Sequence, residues 1–114
     1  MPKALGRIAH IRVKAEKAAA YERLMTEVAA KTHQHEPGVA YYEWSRSVDD
    51  PQTYLVIEVY RDVDVHAAHM RSEWVTQSLP EALQLMEGKP QIRQYVTPGA
   101  EPVRQRVKFQ EDPG

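Results

Sequence analysis

EPGVAYYEWSR (residues 36–46), SVDDPQ (47–52), TYLVIEVY (53–60) and DVDVHAAHMRSEW (62–74) follow one another without interruption, and their reading decides the fold. In 53–60, Val56 and Tyr60 alternate with Leu55, Ile57 and Val59, the period of two that marks a strand. Residues 39–46 alternate in the same way. The six residues between them are rich in turn formers, so the two strands form a hairpin with a medium loop. Pro37-Gly38 ends whatever precedes the hairpin. Asp62 or Asp64 supplies a side-chain cap for a helix that follows it.

Working outward, residues 7–14 alternate, with Ala9, Ile11 and Val13 opposed to Ile8, His10 and Arg12, and predict a first strand. From about 17 to 35, Ala18, Tyr21, Leu24, Met25, Val28 and Ala29 recur at steps of three and four, an amphipathic helix. Downstream, Ser78-Leu79-Pro80-Glu81 has capping-box spacing, which predicts a fresh helix with Pro80 in its first turn. That helix carries Leu83 and Met86 and ends at Gly88, and residues 89–96 predict a fourth strand.

The order is therefore β-α-β-β-α-β with the second helical region split: an α+β, ferredoxin-like plan built on a four-stranded antiparallel sheet. Residues 1–97 are expected to form one domain, and residues 98–114 a polar arm or a disordered tail. Helices on one side leave the other sheet face bare. Because both faces of strands two and three are substantially apolar, that bare face predicts a homodimer joined through the sheets.

Composition narrows the partners. With 114 residues, 42% of them apolar and 27% charged, the chain suits a single globular domain. A net charge of −1 gives no electrostatic case for nucleic acid or an anionic membrane. The chain contains no cysteine, which excludes thiol catalysis and thiolate metal sites. No apolar run has the length of a membrane span or the form of a leader peptide, so the cytoplasm is the expected compartment.

Candidate chemistry concentrates in the opening block. His69 is expected to share a helix face with Val65 and Ala68, turned toward the sheet, and histidine side chains exchange protons near neutral pH. Glu58 sits mid-strand between Ile57 and Val59, where an unpaired buried carboxylate costs several kcal/mol, so it needs a partner. A histidine would make the pair functional, and Arg12 or Arg46 would make it structural. Trp44, Trp74, Tyr42, Tyr54 and Tyr60 offer rings that can enclose a flat ligand, though strand aromatics also serve as plain core. His10, on the polar face of strand one, is a further binding candidate. The pairs His66/His69 and His33/His35 lack the additional ligands a metal needs, so no metal site is expected.

These residues resemble the antibiotic biosynthesis monooxygenase family. The resemblance runs from Arg7 to about Tyr95. It rests on Glu36-Pro37-Gly38 followed by Tyr42-Glu43, on residues 46–51, on Tyr54 to Glu58, and on Ala68-His69 to Ser72 ahead of the aromatic Trp74. It implies a dimeric α+β barrel with a pocket between sheet and helices. It also implies cofactor-independent monooxygenation of a small electron-rich aromatic (a phenol, quinol or polyketide-like molecule) by dioxygen. His69 would then be the base or anchor, Glu58 or a tyrosine would position it, and Trp44 and Trp74 would pack on the ring. An isomerase using the same acid/base pocket, or a catalytically silent binding module, is compatible with the same fold. The haem-degrading branch carries a tryptophan where His69 stands and an iron-binding histidine near Ser78-Leu79-Pro80, so haem is not expected.

Overall fold

A computed structural model describes residues 4–98. The expected arm therefore lies outside the described residues except for Pro98. Strand β1 (Leu5–Arg12) leads through a short 3-10 turn (Ala15–Lys17) into helix α1 (Ala18–His35). The hairpin β2 (Val39–Arg46) and β3 (Thr53–Tyr60) follows, then α2 (Val63–Arg71), α3 (Glu73–Leu85) and β4 (Gln91–Val96). The sheet order is β2-β3-β1-β4, all antiparallel, with the central pair formed by β1 and β3. This is the predicted ferredoxin-like α+β architecture.

One sheet face carries the core. Leu5, Ala9 and Ile11 of β1 and Tyr54, Val56 and Tyr60 of β3 are buried there, against Tyr21, Met25, Val28 and Ala29 of α1 and Val75, Ala82 and Leu85 of α3. The α1 positions recur at helical spacing, so a single stripe meets the sheet. A β-bulge between Val39 and Tyr41 adds one residue to β2. The extra residue lets Tyr42 pair with Glu58 on the covered face, while Tyr41, 47% exposed, pairs with Val59 on the open one.

Two local expectations are corrected. The break between the helices falls at Ser72, whose hydroxyl donates to the His69 carbonyl at 2.7 Å and accepts from the Val75 N–H at 3.4 Å, closing one helix and opening the next. Pro80 is therefore inside α3 rather than in a first turn, at an exposed position. Its missing N–H removes one helical hydrogen bond, which the apolar stripe of Val75, Ala82 and Leu85 running past it on the buried side offsets. On α2 the inward residues are His66 and His69, whereas Ala68 is exposed. A shift of about one position around the helix separates this stripe from the predicted one.

Gly38 couples the turn after α1 to α2. A Cβ there would lie 2.6 and 3.0 Å from the two Val65 methyl carbons, so only glycine allows this approach. The Gly38 carbonyl also accepts from the Arg61 N–H at 3.0 Å. Residues 36–38 are thereby held against the helix that carries His69.

Candidate active site

Between the covered sheet face and the helices lies a cavity of about 100 Å³. Its walls are mostly apolar, with Ala9, Ile11, Met25, Val56, Ala82 and Ile92 among them, and its polar groups come from Arg7, Glu58, Tyr42, Tyr21, His69 and Ser78. Sheet register sets the polarity. Arg7, Glu58 and Tyr42 occupy one row across β1, β3 and β2, and the next row on the same face is Ala9, Val56 and Trp44. One end of the cavity is therefore charged and hydrogen-bonding, and the other is hydrocarbon.

His69 faces this cavity from α2, 2% exposed. Its Nδ1 lies 3.0 and 3.1 Å from the two oxygens of Glu36, and the Trp74 indole N–H donates to the same carboxylate at 2.7 Å. Facing a carboxylate, Nδ1 carries the proton and donates it, which leaves Nε2 as the nitrogen able to accept one. Glu36 thus orients the imidazole, and Trp74 orients Glu36. Trp74 also stacks on His35, with centroids 5.1 Å apart.

Glu58 forms no hydrogen bond with His69. It is buried and pairs with Arg7, directly opposite in the β1–β3 register, at 3.4 and 3.5 Å. It also accepts a very short hydrogen bond from the Tyr60 hydroxyl. The expected partners Arg12 and Arg46 are elsewhere: Arg12 bonds Asp50, Gln52 and Glu87, and Arg46 bonds Glu22. Arg12 sits on the open face of β1, and Arg46 at the far end of β2, opposite Tyr54.

The other predicted residues divide. Tyr42 lines the cavity, its ring 5.1 Å from that of His69. Tyr54 is fully buried, but its hydroxyl donates to Glu22 at 2.6 Å, and Trp44 packs near it at 6.3 Å; neither lines the cavity. Tyr60 and Trp74 are likewise behind the wall. His10 is exposed on the open face of β1, because it alternates with the buried Ala9 and Ile11, and so it is not part of this site. Arg7, Tyr21 and Glu36 belong to the site and were absent from the predicted set. Arg7 was detectable as a charge in phase with Ala9, Ile11 and Val13. Tyr21 is in phase with Met25 and Val28 and reads as ordinary core, and Glu36 reads as turn punctuation.

Burial, then the negative charge of Glu58, raises the Tyr42 and Tyr60 hydroxyls well above the ordinary phenol range, and burial raises Tyr21 as well. All three phenols stay protonated and act as donors. Besides Glu58, which is engaged by Arg7 and Tyr60, His69 is the group in the cavity suited to accept a proton from a ligand. Its neighbour His66 is buried with neither ring nitrogen bonded to a described residue, and its ring lies 4.8 Å from that of Tyr60.

Burial, aided by the charge of Arg7, lowers His66 to about 4. Unfolded chains take up this proton below about pH 6.5 whereas the folded protein does not. Its contribution to stability is complete above that pH and is lost as pH falls toward 4. The total is about 3 kcal/mol. Between pH 7 and pH 4.5 the unfolding free energy from urea denaturation is expected to fall further in the wild type than in His66→Leu, by about 2–3 kcal/mol. Equal falls would show that His66 is not held neutral.

Among the described residues no group of three His, Cys, Asp or Glu could hold a metal ion, and no helix is long and apolar enough to cross a membrane. The family model for antibiotic biosynthesis monooxygenases matches residues 4–80. The chain belongs to that family. The match spans β1 through the first half of α3, and so includes Arg7, Glu36, Glu58 and His69. A Caulobacter crescentus protein provisionally named an antibiotic biosynthesis monooxygenase superposes with a TM-score of 0.79 at 28% identity, over 82% of this chain and 89% of its own. A Nitrosomonas europaea protein with the same provisional name gives 0.79 at 19% identity, over 87% and 94%. A Pseudomonas aeruginosa protein gives 0.74 at 23%, over 85% and 96%. The last two establish a shared fold alone. Comparison with curated proteins finds no match.

Proposed function

We propose that this family member is a monooxygenase that oxidises a single-ring, electron-rich phenol or quinol with dioxygen, drawing the electrons from the substrate itself. The observation that carries the reading is the imidazole held by Glu36 and facing a mostly apolar cavity. About 100 Å³ suits one ring better than the fused rings of a polyketide. His69 Nε2 takes the phenolic proton, Arg7 stabilises the phenolate oxygen, and the apolar walls exclude water.

A phenolate so formed donates one electron to dioxygen, and the resulting radical and superoxide combine to form a carbon–oxygen bond. The imidazolium returns its proton to the peroxide; the O–O bond then breaks as the oxygenated ring carbon gives up its hydrogen as a proton, and the distal oxygen leaves with both protons as water. For a quinol the balance is quinol plus dioxygen giving hydroxyquinone plus water. One oxygen atom enters the product and the other leaves as water.

The open sheet face supports the companion proposal of a homodimer. Ile8, Leu55, Ile57 and Val59 are half-buried there, with Tyr41 and Tyr95 at 47% and 55% exposure beside them. Light scattering at micromolar concentration is expected to give twice the 13.1 kDa chain mass. A folded monomer would overturn it. The absence of cysteine supports a cytoplasmic setting.

The enzymatic test is oxygen uptake by protein freed of metal and flavin, across monocyclic phenols and quinols. Uptake with formation of a hydroxylated quinone is expected. No uptake across the panel overturns the oxygenase, and proton exchange next to a carbonyl without oxygen consumption, seen by NMR, would assign the pocket to an isomerase instead. A catalytically silent binding module would bind members of the panel with neither oxygen uptake nor proton exchange.

A further inference from the structure

Tyr21 is buried in the cavity wall, and among the described residues its hydroxyl has no hydrogen-bond partner. Its ring meets that of Tyr54 edge-on at 4.9 Å, which fixes the side chain against β3 and prevents it from swinging out to solvent. Tyr54 donates its own hydroxyl to Glu22 and makes no hydrogen bond with Tyr21. Met25, Val28 and Ile11 beside it have no oxygen or nitrogen to bond, and neither Glu58 nor Tyr42 in the same wall forms a hydrogen bond with it. Buried hydroxyls are nearly always satisfied, and the cavity that Tyr21 lines is where a partner for this one can enter.

We propose that the Tyr21 hydroxyl is a specificity-determining donor that reads a second oxygen on the ligand, distinct from the oxygen held at His69. The inference rests on the proposed phenol-binding role of the cavity. The two groups stand on different helices, Tyr21 on α1 and His69 on α2, and a ring bound between them is addressed from two sides. Held protonated by its burial, Tyr21 keeps a proton to donate, and the oxygen that takes it is an acceptor: a carbonyl, an ether or the lone pair of a second hydroxyl. A phenol with a single oxygen leaves Tyr21 unpaired and binds less tightly.

Equilibrium binding under anaerobic conditions tests this apart from turnover. The probes are phenol and the 2-, 3- and 4-methoxyphenols, titrated calorimetrically into the wild type and Tyr21→Phe. At least one methoxyphenol is expected to bind the wild type about tenfold more tightly than phenol does. Tyr21→Phe should erase that gain while leaving the affinity for phenol unchanged. The proposal is overturned if no methoxyphenol exceeds phenol, if the gain survives in Tyr21→Phe, if both affinities fall together, or if none of the four binds the wild type. Loss of oxygen uptake with binding selectivity intact would instead reject the oxygenase reading and leave Tyr21 in its role.

Discussion

His69→Ala is expected to lower kcat for oxygen uptake by roughly two to four orders of magnitude, the range that a positioned general base contributes. The phenols of Tyr21 and Tyr42 in the cavity wall, and of Tyr60 behind it, are held protonated and cannot replace it. Because His69 is 2% exposed and packs near Tyr42 and Tyr60, its removal also leaves a void, so His69→Gln is the better-matched second variant. Urea midpoints on the same preparations separate lost chemistry from lost structure.

Glu36→Gln isolates the orienting role. Its shape is preserved, but the amide can present an N–H to Nδ1 and favour the tautomer with Nε2 protonated, which is unable to accept the phenolic proton. A fall in kcat of roughly a hundredfold is expected, with KM changed much less. Trp74→Phe removes only the second donor to Glu36 and should cost less than either. If His69→Ala and Glu36→Gln both retain wild-type kcat, the imidazole is not the base.

The largest stability effect is expected at Arg7. Arg7→Met leaves Glu58 in the sheet interior with the Tyr60 hydroxyl as its remaining donor, and breaking a buried pair in this way costs about 3–5 kcal/mol. That is a large part of the stability of a domain this size, typically about 5–15 kcal/mol. The double variant Arg7→Met with Glu58→Gln removes both charges and is expected to recover much of the loss, because the penalty comes from the charge left unpaired rather than from a missing attraction. Urea denaturation of the two single variants and the double variant completes the cycle. Equal losses in the single and double variants would show that Arg7 acts through packing alone.

Both effects come from contacts that span long stretches of chain, and this explains which parts of the molecule were legible. Strands β2 and β3 were readable to the residue because alternation and the turn between them are local properties of 39–60. The split between α2 and α3 was anticipated but misplaced. Ser72 and Ser78 both have the chemistry of a cap, and a proline after Ser78 favours it locally, yet the continuous stripe of Val75, Ala82 and Leu85 commits the whole stretch to one helix. Packing outweighed the local signal.

The site shows the same division. His69, Glu58 and Tyr42 were recognisable as polar or aromatic groups in a buried pattern, but their pairings were not. Glu36 and His69 are 33 residues apart, and Arg7 and Glu58 are 51 apart. The bulge that aims Tyr42 inward and the glycine that brings residues 36–38 onto α2 set positions that periodicity does not encode.

By itself the sequence determined the elements, their order and the α+β class, because strand and helix periods and turn chemistry act over a few residues. Only the tertiary structure decided that Glu36 rather than Glu58 holds His69, that Glu58 belongs to Arg7, and that Tyr21 is left facing the cavity. A hydrogen bond is made or lost within an ångström, and distances of that order between remote side chains are set only when the sheet register and the helix packing are complete.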